Sequence, residues 1–324
     1  MKILYGIQGT GHGHISRAKE LLPELTRHAT VDILISGYAC KLLPKQLVAY
    51  RKHGISLIYD HSGGVSVAGT LKRLKPFRFL NDLRSLPLHQ YDLVISDYEP
   101  ITAWAARLQG VPGLALSHQA AFLSNKVPRP KRISVGAEQL LRYFAPARRT
   151  VGFHYKSYDY SIKPPLIRAD IRRLKATTNG HICVYLPSYH SSVLSTIFNK
   201  INVEWHLFAP DCNEPQRRKN VQIFPVGNNV FVDSFKSCSG VVTSAGFELC
   251  AEAMYLKKKL LAIPIRNQYE QECNAAALKK LGVMVLPGLQ GHEADIRRWL
   301  AGNKVVGLSA ITNPARLVEE ILSE

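Results

Sequence analysis

Two stretches carry residue types suited to chemistry on a polar ligand. Gly9-Thr10-Gly11-His12-Gly13-His14 sets two imidazoles in a glycine run, between an apolar segment and the run Ile15 to Arg27. Histidine accepts a proton near neutral pH because its reference pKa is about 6.5. Glycine lets backbone and bulky ligand approach closely. In the second stretch, Val241 to Ala275, Ser244-Ala245-Gly246 is a turn of small residues opening a helix that carries Glu248 and Glu252. A helix start aims free N–H groups and a positive dipole end outward, which suits a phosphate. Glu270-Gln271 places an acceptor-only group beside an amide, a pairing able to read sugar hydroxyls. Each feature also has a plainer reading: His12 and His14 as imidazoles capping the first helix, and Glu248, Glu252 and Glu270 as solvated helix acids.

The elements that must position these groups follow from periodicity. Lys2 to Ile7 reads as a buried strand, and Ile15, Ala18, Leu21, Leu22 and Leu25 recur at helical spacing. Strand, glycine loop and helix open a Rossmann-like unit. The glycines fit G-x-G-x-x-G poorly, and no P-loop pattern is present. Val31 to Ile35 and Ile55 to Tyr59 read as strands two and three, with a helix between them over Tyr38 to His53. Leu93 to Ser96 is a strand whose carboxyl end presents Asp97, where ligands of open α/β sheets collect. Asp97 is suited to orienting His14, binding an acceptor or capping the next helix. His118 ends another strand, as a cleft-wall residue. Arg17, one turn beyond His14, offers a charge to phosphates or to an acidic acceptor.

Residues 133 to 149 read as helical, and Gly152 to Pro165 is the linker candidate. A second alternation of strands and helices follows, with Ser188 in the loop after its first strand. The fold expected is α/β, two Rossmann-like domains facing across a cleft, at residues 1–155 and 156–324.

Composition narrows the classes. The net charge is +18, with 21 Lys and Arg against 9 Asp and Glu in residues 1–155, or +12, and +6 in the remainder. Lys72, Arg73, Lys75 and Arg78 interleave with Leu71, Leu74, Phe77 and Phe79, which suits an anionic membrane surface. A solvated basic face is the plainer reading, and no nucleic-acid motif accompanies the charge. Six scattered cysteines without CxxC pairs read as buried small residues in a reducing compartment. No apolar run approaches the roughly 18–20 residues of a membrane span, and the N-terminus lacks a signal-peptide pattern. A cytoplasmic protein, with possible contact at the inner membrane face, is expected.

The stretch Ser-Ala-Gly, a glutamate six residues on, a Pro ending the next strand, then acid-Gln and Asn-Ala resembles the donor-nucleotide region of GT-B glycosyltransferases. It is similar to those that add N-acetylglucosamine to the lipid-linked peptidoglycan precursor and to the UDP-glucuronosyltransferase-like group. Residues 9 to 18 resemble the first-loop motif of the same families. The resemblance covers most of the chain and is specific at residues 9–18, 92–97 and 240–275. It implies that Glu252 holds the ribose hydroxyls, Glu270 and Gln271 hold the donor sugar, Thr10 contacts phosphate and His14 is the catalytic base. The usual motif is one residue shorter, so His12 is the rival imidazole.

On that footing the expectation is an inverting, metal-independent transferase. It would move a sugar from a UDP-sugar, its donor substrate, to a hydroxyl of a lipid-linked or cell-envelope glycan, with no cofactor. Gly11, Gly13, Ser188, Ser244, Ala245 and Gly246 would line the donor, and His12, Arg17 and His118 the acceptor. Retaining members commonly carry two glutamates with seven residues between them, whereas Leu256 and Leu260 stand eight positions after Glu248 and Glu252, which favours inversion. The alternatives are a nucleotide-sugar 2-epimerase, which needs no acceptor, and a non-catalytic nucleotide-sugar binding protein.

Overall fold

Lys2–Gln8 (β1) is buried from Ile3 onward, so it sits inside a sheet with both faces covered. The computed structural model describes residues 1–9, 12–37, 48–55, 69 and 75–323. Around β1 lie Thr30–Ser36 (β2), Val48–Lys52 (β3), Leu93–Asp97 (β4), Gly113–Ser117 (β5), Arg149–Phe153 (β6) and Ile162–Lys163 (β7). They form a parallel sheet in the order β3-β2-β1-β4-β5-β6-β7. The order reverses between β1 and β4, and the register sets Ile7 beside Asp97. The loop after β1 and the carboxyl end of β4 therefore share one crevice.

The second sheet repeats the plan. Its strands are Ile182–Tyr185 (β8), Trp205–Ala209 (β9), Gln216–Arg218 (β10), Val221–Pro225 (β11), Gly240–Ser244 (β12), Lys259–Ile263 (β13) and Met284–Val285 (β14). The order is β10-β11-β9-β8-β12-β13-β14, parallel except for β10 against β11. Here the reversal falls between β8 and β12, where Tyr185 pairs with Thr243. That crevice receives the Ser188 loop and the Ser244 turn. The two Rossmann-like halves expected from the sequence are thus what the chain forms.

Helices cover both sheets: His12–His28 (α1), Pro76–Arg84 (α2), Pro100–Gln109 (α3), Val135–Tyr143 (α4), Ala169–Arg172 (α5), Ser191–Phe198 (α6), Asn228–Ser237 (α7), Phe247–Tyr255 (α8), Tyr269–Leu281 (α9), Glu293–Ala301 (α10) and Pro314–Ser323 (α11). Ile15, Ala18, Leu21, Leu22 and Leu25 bury one face of α1. The last helix, α11, returns to pack on α1 through Leu317, Val318 and Ile321. Buried residues of both halves join in one apolar cluster. No helix among the described residues is long and apolar enough to cross a membrane.

Three local expectations change. The helix expected over Tyr38 to His53 is interrupted, because Val48–Lys52 alternates in burial and pairs with β2 as an edge strand. Residues 38–47, and 56–59 of the expected third strand, lie outside the described residues. The helix expected over 133 to 149 ends at Tyr143, ahead of Pro146, which cannot continue it. The linker candidate Gly152 to Pro165 holds the end of β6 and all of β7, with Ile162 paired to Gly152. Tyr155 there is 2% exposed, so that tyrosine packs between the halves instead of meeting solvent.

Candidate active site

His14 and Arg17 are three residues apart on α1 and share a face. Both turn toward Asp97, the buried last residue of β4. His14 Nδ1 lies 2.7 Å from Asp97 Oδ1. Arg17 donates from Nε to Oδ2 at 2.8 Å and from Nη2 to Oδ1 at 2.9 Å, a two-point grip that Lys could not make. Burial pushes the Asp97 carboxyl up, but Arg17 and His14 outweigh it and hold the group below its usual range. Burial likewise works against the Arg17 charge, and Asp97 then Glu248 more than restore it. The cap of α3 is Glu99, whose carboxylate accepts from Ile101 N and Thr102 N, so Asp97 is spared that role. Tyr98, at φ 53°, stacks on Phe144 with ring centroids 4.7 Å apart and lies nearly parallel to His14 at 6.5 Å. With Nδ1–H donated to the Asp97 carboxylate, a neutral His14 carries its lone pair on Nε2.

The second half contributes a helix start. α8 begins after Gly246, an extended N-cap with no side-chain cap, so its first N–H groups are open to an anion. Ser244 and Ala245 are buried at the end of β12, and Ser188 is half-buried in the neighbouring loop. Glu248, in the first turn of α8, accepts from Arg17 Nη1 at 3.1 Å across the seam between the halves. A Cβ on Gly13 would stand 2.6 Å from that carboxylate's oxygens, so only glycine fits there without moving Glu248.

The resemblance-derived residues sit around this seam with unequal freedom. Glu252 is buried and takes Arg168 on both oxygens, at 2.6 and 3.0 Å. Burial pushes its carboxyl up despite that partner. Glu270 accepts from Gln119 Nε2 at 3.0 Å and stands 3.9 Å from His118 Nε2. Gln271 is buried and accepts from Ile265 N at 2.9 Å, holding the loop after β13. His118 is also committed: Nδ1 lies 2.8 Å from the Phe153 carbonyl and Nε2 2.8 Å from Asn274 Oδ1, while Asn274 Nδ2 donates to Ala245 O. Its ring stacks on Phe247 at 4.0 Å. Thr10 and Gly11 lie outside the described residues, and His12 begins α1.

His14, Asp97, Arg17, Gly13, Glu248 and the α8 start therefore converge, while Glu252, Gln271 and His118 are held in protein contacts. Arg17 serves Asp97 and Glu248 instead of facing an acceptor. Glu248, Arg168, Gln119 and Asn274 went unassigned in the sequence. The three-residue step from His14 to Arg17 was a usable signal, but no local pattern links Arg168 to a glutamate 84 positions away.

A profile of glycosyl transferase family 1 matches residues 1–301. This chain belongs to that family. The transferase is 25% identical over 326 residues to an uncharacterized glycosyltransferase of Methanosarcina acetivorans, covering 87% of this chain and 82% of the relative. Its fold is similar to that of Acinetobacter baumannii MurG, with a TM-score of 0.64 at 16% identity over 100% of this chain and 99% of the other. It is also similar to the Streptomyces glycosyltransferase SsfS6 complexed with thymidine diphosphate, with a TM-score of 0.59 at 14% identity over 100% of both chains. Phytolacca americana UGT2, complexed with UDP-2fluoro-glucose and pterostilbene, gives a TM-score of 0.59 at 13% identity over 99% of each chain. The transferase thus has the GT-B architecture of two facing α/β halves.

Proposed function

We propose that this glycosyltransferase moves a sugar from a UDP-sugar to a hydroxyl acceptor with inversion and without a metal ion. Its first sheet would form the acceptor half and its second the donor half. The observation that carries the reading is the buried His14–Asp97 contact at 2.7 Å. His14 Nε2 takes the acceptor O–H proton as the oxygen attacks the anomeric carbon, and Asp97 stabilises the imidazolium that results. The bond from the anomeric carbon to the diphosphate oxygen breaks, and UDP leaves with the electron pair. Charge on that leaving group meets the open N–H groups of α8 and the Ser244 and Ser188 hydroxyls. Glu252 and Glu270, with Gln271, remain the proposed ribose and sugar contacts. Ribose binding by Glu252 requires Arg168 to share or release its carboxylate. The structural neighbours solved with thymidine diphosphate and with UDP-2fluoro-glucose support a nucleotide-sugar donor.

The acceptor reading is a lipid-linked or envelope glycan met at an anionic membrane surface. Lys72 and Arg73 lie outside the described residues, but Lys75 and Arg78 are exposed beside Phe77, 87% exposed on α2. Ile133, Val135, Leu140 and Tyr143 add exposed apolar area on and beside α4. Replacing His14 by Ala should lower turnover roughly 10²- to 10⁴-fold while UDP still raises the melting temperature. Unchanged turnover would remove His14 as the base. Formation of a second UDP-sugar from UDP-N-acetylglucosamine alone would favour an epimerase.

A further inference from the structure

Glu248 stands in the first turn of the helix that receives the diphosphate, where a carboxylate opposes an anion. The structure turns it away from that helix start and across the seam, onto Arg17 and against Gly13. Arg17 is 4% exposed and divides its donors between two carboxylates on different halves, Asp97 at the end of β4 and Glu248 on α8. The Glu248 side chain is 33% exposed, and an ion pair of that kind adds little to stability. Its consequence is electrostatic. With Glu248 in place the Arg17 charge is shared. Without it Arg17 bears on Asp97 alone, and Asp97 supports a proton on His14 less well.

We propose that Glu248 is a positioning residue reaching from the donor half into the acid–base set of the acceptor half, where its bond to Arg17 fixes the guanidinium that holds Asp97 beside His14. The proposal rests on the transferase reading for its catalytic meaning. The coupling itself is a property of the folded chain. The charged and titratable groups facing the set are Tyr5 on β1, Arg17 on α1, Asp97 and Tyr98 at the end of β4, Tyr155 after β6, Glu248, Cys250 and Glu252 on α8 and Glu270 on α9. Of the acids among them, Glu248 alone binds Arg17 from the second half.

The test is an NMR titration of the His14 imidazole in the whole protein, in wild type, Glu248→Gln and Glu248→Asp, with His14→Ala used to assign the signal. Glu248→Gln should lower the His14 midpoint by roughly half a pH unit, and Glu248→Asp, which keeps the charge, should hold it near wild type. Thermal melts of both variants should superimpose on wild type within about 2 °C. A Glu248→Gln midpoint equal to wild type, or equal falls in both variants, overturns the proposal. UDP release by wild type from UDP-N-acetylglucosamine, scored separately with an acceptor panel, tests the transferase reading, so either can fail alone.

Discussion

Arg168, immediately before α5, grips both carboxylate oxygens of Glu252 on α8, from Nε at 2.6 Å and from Nη2 at 3.0 Å. This pair ties the segment between the two sheets to α8 of the second half. Glu20 on α1 holds the same segment from the other side, accepting from Ala169 N and Arg172 Nη1.

Arg168→Met strands the Glu252 carboxylate in the interior. Breaking a buried pair from one side costs about 3–5 kcal/mol, whereas replacing both partners is close to neutral. Urea denaturation at pH 7 should show Arg168→Met well below wild type, and Arg168→Met with Glu252→Gln recovering most of the loss. The Glu252 carboxyl is raised by burial in the folded state. A raised carboxyl favours the fold at low pH and loses that advantage as pH rises, so the Arg168→Met deficit should shrink between pH 7 and pH 4.5.

Asp97 has the opposite sign. Its folded carboxyl lies below the usual range, because Arg17 and His14 overcome the effect of burial. It therefore stabilises the fold above its unfolded value of about 3.9, and that contribution is lost as pH falls through the folded value. Asp97→Asn should cost about 3–5 kcal/mol at pH 7, since Arg17 loses its buried partner. The gap to wild type, read from urea midpoints, should narrow below about pH 3.9.

Gly152 on β6 lies against the turn that follows His118. A Cβ there would stand 2.5 Å from Ala121 N and Cα, backbone atoms that cannot swing aside. Gly152→Ala should destabilise by about 1–3 kcal/mol and lower the melting temperature. Gly136, inside α4, has nothing within 4 Å of its added Cβ. Gly136→Ala should raise stability by about 0.5–1 kcal/mol, which makes it the matched control.

Lys75 and Arg78 flank the exposed Phe77 at the start of α2. Each basic residue near an anionic surface contributes about 1 kcal/mol, so Lys75→Ala with Arg78→Ala should weaken co-sedimentation with phosphatidylglycerol vesicles roughly 30-fold at low salt. Equal sedimentation of the variant and wild type would remove α2 as the membrane contact.

The chain's local patterns determined its architecture. Apolar runs from Lys2 to Ile7 and from Leu93 to Ser96 are buried strands, and the residues that close such strands fall at the carboxyl edge of a sheet. Asp97 was therefore legible as a residue at a ligand-collecting strand end, while its choice among orienting His14, binding an acceptor and capping the next helix was not. Two features blurred the local reading: β3 is a short edge strand inside an apparently helical run, and β7 is only Ile162–Lys163, too brief to show alternation.

Only the tertiary structure decided how the charges are shared. Arg17 meets Asp97 across 80 positions and Glu248 across 231, Arg168 meets Glu252 across 84, and His118 meets Asn274 across 156. Periodicity reports which face of an element is buried. It carries no information about which distant charge that face will meet, because that depends on how the two sheets are brought together. A buried charge must find its partner there or be strongly disfavoured.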